Sequence, residues 1–225
     1  MTTTMRYLTS VLMAITAVST LPPSTNAATV KGDKPKDSPG WVVVEEDWFY
    51  PLRYDPVLIL DSARYHYRRN EEDAAAQDIG RALSWLEYAS EHAMPITKEK
   101  IDSARTTLEK LKTDLDKGMV YSAARLDMDL AKASTALAEW HYFKARESYG
   151  KNDLGYAAQD LQAAVKHLRH AADSAHYEYG MDTITVFDDV FDANASIDHD
   201  QLGRELDSIE KATNDLSKAL TKAGN

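Results

Sequence analysis

Seven histidines are the first residues in this chain that could do chemistry, standing at positions 66, 92, 141, 167, 170, 176 and 199. His167 and His170 lie three apart, a spacing that on a helix brings two imidazoles within reach of one ion. His141, His176 or a neighbouring carboxylate would complete a four-ligand shell. Metal bound there would make the protein a metal-ion or small-ligand sensor working through helix-borne His141, His167 and His170. The surrounding pattern opposes this. Leu161, Ala164, Leu168 and Ala171 form the apolar seam of their helix, which predicts His170 on the solvent side and His167 on the flank. Bundle metal sites project inward, often from Glu-x-x-His spacing, and that spacing is absent from the sequence. The expectation is surface histidines, no metal and no cofactor.

Other groups that suggest a site also have a structural reading. Asp188, Asp189, Asp192, Asn194, Asp198 and Asp200 resemble a calcium loop. Counted from Asp192, however, the sixth residue is Ile197 where the loop needs Gly, and the twelfth is Gly203 where it needs Glu. The run reads instead as a solvated acidic loop that places Asp198 at a helix N-terminus, where negative charge is favourable. Trp48, Phe49, Tyr50, Tyr54, Tyr65, Tyr67, Trp140, Tyr142, Phe143 and Tyr149 could line a groove, but rings of this kind also seal the ends of helical cores. Cys is absent, as are Gly-x-Ser-x-Gly, His-Glu-x-x-His and a phosphate loop, so no catalytic residue is assigned and the chain reads as a non-enzyme.

The elements that carry these residues come from a duplication. At an offset of 82, Ala63, Arg64, Tyr67, Asn70, Gln77 and Asp78 meet Ala145, Arg146, Tyr149, Asn152, Gln159 and Asp160, and the matching continues to Ala93 and Ala175. At an offset of 101, Ile101, Leu108, Glu109, Lys110 and Leu115 meet Leu202, Ile209, Glu210, Lys211 and Leu216. The change of 19 is an insertion, read as a loop around Tyr179 to Ser196. Apolar steps of three and four predict six helices, about 55–69, 72–93, 97–117, 119–149, 153–179 and 198–222. Asn70, Met94-Pro95, Gly118, Gly150-Lys151-Asn152 and Gly180 break them. The fourth is apolar on two faces, Leu126, Leu130, Ala133, Leu137 and Trp140 on one and Ala131, Ala138, Tyr142, Ala145 and Tyr149 on the other, so it is packed from two sides. The fold class is all-α: an antiparallel helical bundle built from a duplicated hairpin unit, with repeat copies over about 55–117 and 137–222. Trp41 to Val44 and Thr183 to Phe187 are candidates for a minor two-stranded β element.

A hairpin turning at Asn70 and Glu71 places Arg64 opposite Asp78 and Tyr67 opposite Ala75, and its copy places Arg146 opposite Asp160 and Tyr149 opposite Ala157. Two structural ion pairs, Arg64 with Asp78 and Arg146 with Asp160, are therefore expected to fix the register.

The N-terminus sets the compartment. Residues 1–27 follow the basic, apolar and small-residue order of a signal peptide, ending at Ala27, with an apolar run too short for a permanent span. Residues 28–40 read as a flexible charged linker, and 41–225 as a single helical domain. Loss of Arg6 with the leader takes the formal charge from −10 to about −11. An acidic chain of this kind has no nucleic-acid partner, and after signal cleavage it has no membrane span. The localisation read from these features is periplasmic.

Ala82 to Leu86 and its copy at Ala164 to Leu168, each in an Ala-rich helix behind a Gly/Asn turn, resemble the pattern of YfdX-type periplasmic bacterial proteins over about residues 55–220. The alternation is also similar to tetratricopeptide repeats, although their period of roughly 34 residues differs. The YfdX resemblance implies an exported helical protein linked to envelope stress and carries over no functional residue. The functional expectation is a binding or chaperone-like protein of the bacterial envelope, with protein segments or a second copy of itself as partners.

Overall fold

Ala-rich stretches without internal Pro or Gly runs, bounded by strong breakers, give seven helices among the residues that the computed structural model describes, 55–192 and 198–223. They are α1 (Asp55–Arg68), α2 (Glu72–Glu91), α3 (Pro95–Asp116), α4 (Ala123–Gly150), α5 (Leu154–Ala175), α6 (Met181–Asp192) and α7 (His199–Ala223). Several starts have a local cause. Pro95 opens α3 where a missing N–H costs nothing. Ser122 accepts from the Arg125 N–H at 3.2 Å, and Asp198 accepts from the Gln201 N–H at 2.7 Å, so Asp198 caps α7 as the sequence predicts.

Four helices end in the same way. Asn70, Gly118, Asn152 and His176 all take left-handed backbone, with φ of 58°, 70°, 59° and 53°. In each case the N–H of that residue reaches back three positions and the next N–H reaches back five, as in Asn152 to Tyr149 (2.9 Å) and Asp153 to Ser148 (2.9 Å). This double bond satisfies the last carbonyls of the helix. Asn70 and Asn152 are partners in the repeat, and the duplication therefore preserved the turn as well as the helices. Glycine suits this conformation because it has no Cβ to crowd the following carbonyl, and asparagine because its short polar side chain can hydrogen-bond locally.

The two faces of α4 separate two cores. Leu126, Leu130, Ala133, Leu137 and Trp140 join α1, α2 and α3 through Leu60, Ile79, Leu86, Ile101 and Leu108. Ala131, Ala138, Tyr142 and Ala145 join α5, α6 and α7 through Leu161, Leu168, Phe187, Leu206 and Ile209. Burial of each large aliphatic side chain here contributes about 1.5–3 kcal/mol. The second copy thus uses the C-terminal half of α4 as its first helix, α5 as its second and α7 as its third.

The insertion differs from expectation. Thr183 to Phe187 lies inside α6, because Ile184, Phe187, Val190 and Phe191 recur at helical spacing and pack into the second core. The apolar stripe prevails over the short period-two alternation, and much of the loop expected between Tyr179 and Ser196 is helix. Trp41 to Val44, the other proposed strand, lies outside the described residues. No described helix is long and apolar enough to cross a membrane.

Candidate functional site

Where α1, α4 and α5 meet, the interior is polar, and the histidines lie there instead of at the surface. His141, His167 and His170 are 2 %, 0 % and 5 % exposed. The solvent side of α5 runs along Lys166, Arg169 and Asp173 and leaves out His167 and His170: α4 covers one face, while α1, α6 and α7 pack on others. A seam read from one helix alone misses the further faces that other helices cover.

Each imidazole has a distinct environment. His141 Nδ1 lies 2.9 Å from Asp160 Oδ1, and its ring stacks on His167 at 5.7 Å with 16° between planes. Neither nitrogen of His167 finds a hydrogen-bond partner among the described residues. Burial foremost, then the neighbouring His141 and His170, hold the His167 pKa well below 6.5, so this ring is neutral in the folded protein. His170 lies between Ser134 Oγ, 2.6 Å from Nδ1, and Asp61 Oδ1, 3.1 Å from Nε2.

Ser134, His170 and Asp61 thus line up a hydroxyl, an imidazole and a carboxylate, the set that activates nucleophiles, although the Nε2–Asp61 contact lacks hydrogen-bond alignment. Access decides what it can do. Ser134 is fully buried in α4. The adjoining cavity, about 530 Å³, is bordered by Asp61, His170, Asp173, Lys166, Arg169 and Phe191, and the serine is not on its wall. The hydroxyl stays inside the bundle, and the three side chains act as a polar tie between α1, α4 and α5 with Asp61 at the surface. Among the described residues no three His, Asp or Glu side chains converge to hold a metal ion. His141 and His167 stack face to face, an arrangement that does not aim two nitrogens at one point.

The two expected ion pairs are replaced by others. Arg64 turns away from Asp78: its Nε lies 3.0 Å from Asp127 Oδ1, and its Nη1 bonds Asp173. Arg68 Nη2 adds a 2.7 Å contact to Asp127. The guanidinium beside Asp173 holds that carboxyl below the usual carboxylate range. Asp78 is instead bonded by Ser62 at 2.6 Å and Arg81 at 3.0 Å. In the second copy Arg146 meets Asp207 at 3.1 Å, while Asp160 takes His141 and, at 3.8 Å, Lys144. The cause is the third layer. Arg64 faces α4 and α5, and Arg146 faces α7, so each long side chain leaves its hairpin for a helix that a two-helix register ignores.

The expected tyrosine contacts fare differently. Ala75 and Ala157 are fully buried, as the close hairpin approach requires. The Tyr67 hydroxyl donates to the Tyr121 carbonyl at 2.5 Å and accepts from the Tyr121 N–H at 2.8 Å, tying α1 to the loop before α4. Tyr149 stacks on His199 at 4.4 Å. Trp140 and Tyr142 fall in opposite cores, and Tyr65 is exposed, so the aromatics do not gather into one groove. Trp48, Phe49, Tyr50 and Tyr54 lie outside the described residues.

Asp61, Asp127, Ser134 and Asp173 were not singled out from sequence. For Asp127 and Ser134 a signal existed: both sit on a helix packed from two sides, where a polar residue has few solvent-facing positions. No protein-family model, curated protein or solved structure matches the chain.

Proposed function

We propose that this protein is a non-enzymatic, chaperone-like binding module of the bacterial envelope. The observation that carries the reading is an open groove of about 1,040 Å³ between α3 and α7, floored by α4, where the two repeat copies face each other across their shared helix. The volume is at the upper end of the roughly 300–1,000 Å³ of small-molecule pockets, which suits a chain segment better than a metabolite. Among the described residues the hydroxyl of the Ser134–His170–Asp61 set is fully buried, which supports binding over turnover. Export rests on the leader read over Met1 to Ala27, and the resemblance to YfdX-type proteins adds envelope stress as the setting.

The test is light scattering from a thermally unfolding client with the purified mature protein present. Suppression of aggregation at near-equimolar ratio is expected. Unchanged aggregation across several clients, with no client co-eluting in gel filtration, sinks the reading.

A further inference from the structure

We propose that the groove between α3 and α7 takes an acidic, extended segment of a partner protein, an inference that rests on the binding-module reading and gives its ligand a chemistry. Four lysines line the groove, Lys100 from α3, Lys132 from α4, and Lys218 and Lys222 from α7, against two glutamates, Glu99 and Glu139. This local positive excess stands on a chain of formal charge −10. An acidic segment is repelled over most of such a surface and attracted here, so charge supplies both encounter and selectivity.

Not all four lysines are available. Glu139 is 5 % exposed and is held by Lys100 Nζ at 2.7 Å and Ser217 Oγ at 3.1 Å. Lys218 lies 3.8 Å from Asp215. Lys132 and Lys222 form no ion pair with any described residue, and they stand on the floor and on one wall. Between the charges lie Ala104, Ala136 and Leu220, small or buried apolar groups that leave room for a backbone to settle. The apolar floor selects between anions. Ala104, Ala136 and Leu220 can pack against the uncharged side chains of a peptide, whereas a phosphate polymer offers them only charge.

The experiment uses the full mature chain, a short fluorescein-labelled peptide of alternating Glu and Thr, the same peptide with Lys for Glu, and inorganic polyphosphate as competitor. Fluorescence anisotropy should show the Glu peptide binding with an affinity that falls as salt rises, and the Lys peptide not binding. The double variant Lys132→Glu/Lys222→Glu, checked for unchanged circular dichroism and melting, should weaken binding by about tenfold or more. Equal binding by the variant overturns the proposal, as does displacement by polyphosphate as effective as by unlabelled Glu peptide. If clients are still held from aggregation while the Glu peptide does not bind, the groove assignment fails and the binding-module reading survives. If the wild type holds no client, the broader reading fails on its own test.

Discussion

Acid should destabilise the protein through His167, and the size of the effect follows from where the ring sits. His167 is fully buried, lacks partners among the described residues, and is kept neutral by burial and by His141 and His170. Around it stand His141 with Asp160 and Lys144, and His170 with Asp61 and Ser134. The folded pKa is depressed below the unfolded value of 6.5. The unfolded chain therefore binds the proton first, and stability falls as pH drops below 6.5. For a ring that stays neutral while folded, RT ln(1 + 10^(6.5 − pH)) is roughly 0.2 kcal/mol at pH 7 and about 2 kcal/mol at pH 5. The assay is urea unfolding of wild type and His167→Leu at both pH values. Comparing the two removes the contributions of the other carboxylates and histidines. At pH 7 the variant should be at least as stable as wild type, since two unpaired ring nitrogens give way to an apolar group. On moving to pH 5 wild type should lose about 2 kcal/mol more than the variant. Parallel pH profiles would refute the claim that the ring is buried and neutral.

The repeat supplies an internal control. Arg64→Ala should cost about 3 kcal/mol in urea unfolding, because Asp127 stays buried with only Arg68 beside it, whereas Arg146→Ala, at an exposed pair with Asp207, should cost under about 1 kcal/mol. Ala75→Leu and Ala157→Leu should each lower stability by about 1–3 kcal/mol through overpacking at fully buried sites, read as a drop in denaturation midpoint. Burial raises the Glu205 pKa above 4.5, so this carboxylate disfavours the folded state once the unfolded chain has lost its proton. Glu205→Gln should therefore stabilise the protein at pH 7, with the gain vanishing below about pH 4 in the same assay.

The sequence by itself determined six of the seven described helices, the breaks between them and the duplication. These depend on local quantities: the three-and-four spacing of Ile79, Ala82 and Leu86, the left-handed tolerance of Asn70 and Asn152, and the imino ring of Pro95. It also determined that α4 carries two buried faces, since Leu126 to Trp140 and Ala131 to Ala145 diverge around one axis. Tertiary structure alone decided which charges meet and which histidines are buried. Arg64 has a reach long enough to choose between Asp78 on its own hairpin and Asp127 or Asp173 on helices far away in the chain, and the packing of α4 and α5 makes that choice. His170 looked solvent-facing because its helix was judged against one neighbour, and the packing of α1 and α6 on α5 enclosed the other side. Periodicity states how much of a helix is covered, whereas long-range packing states by what, and pairing energies follow from the second.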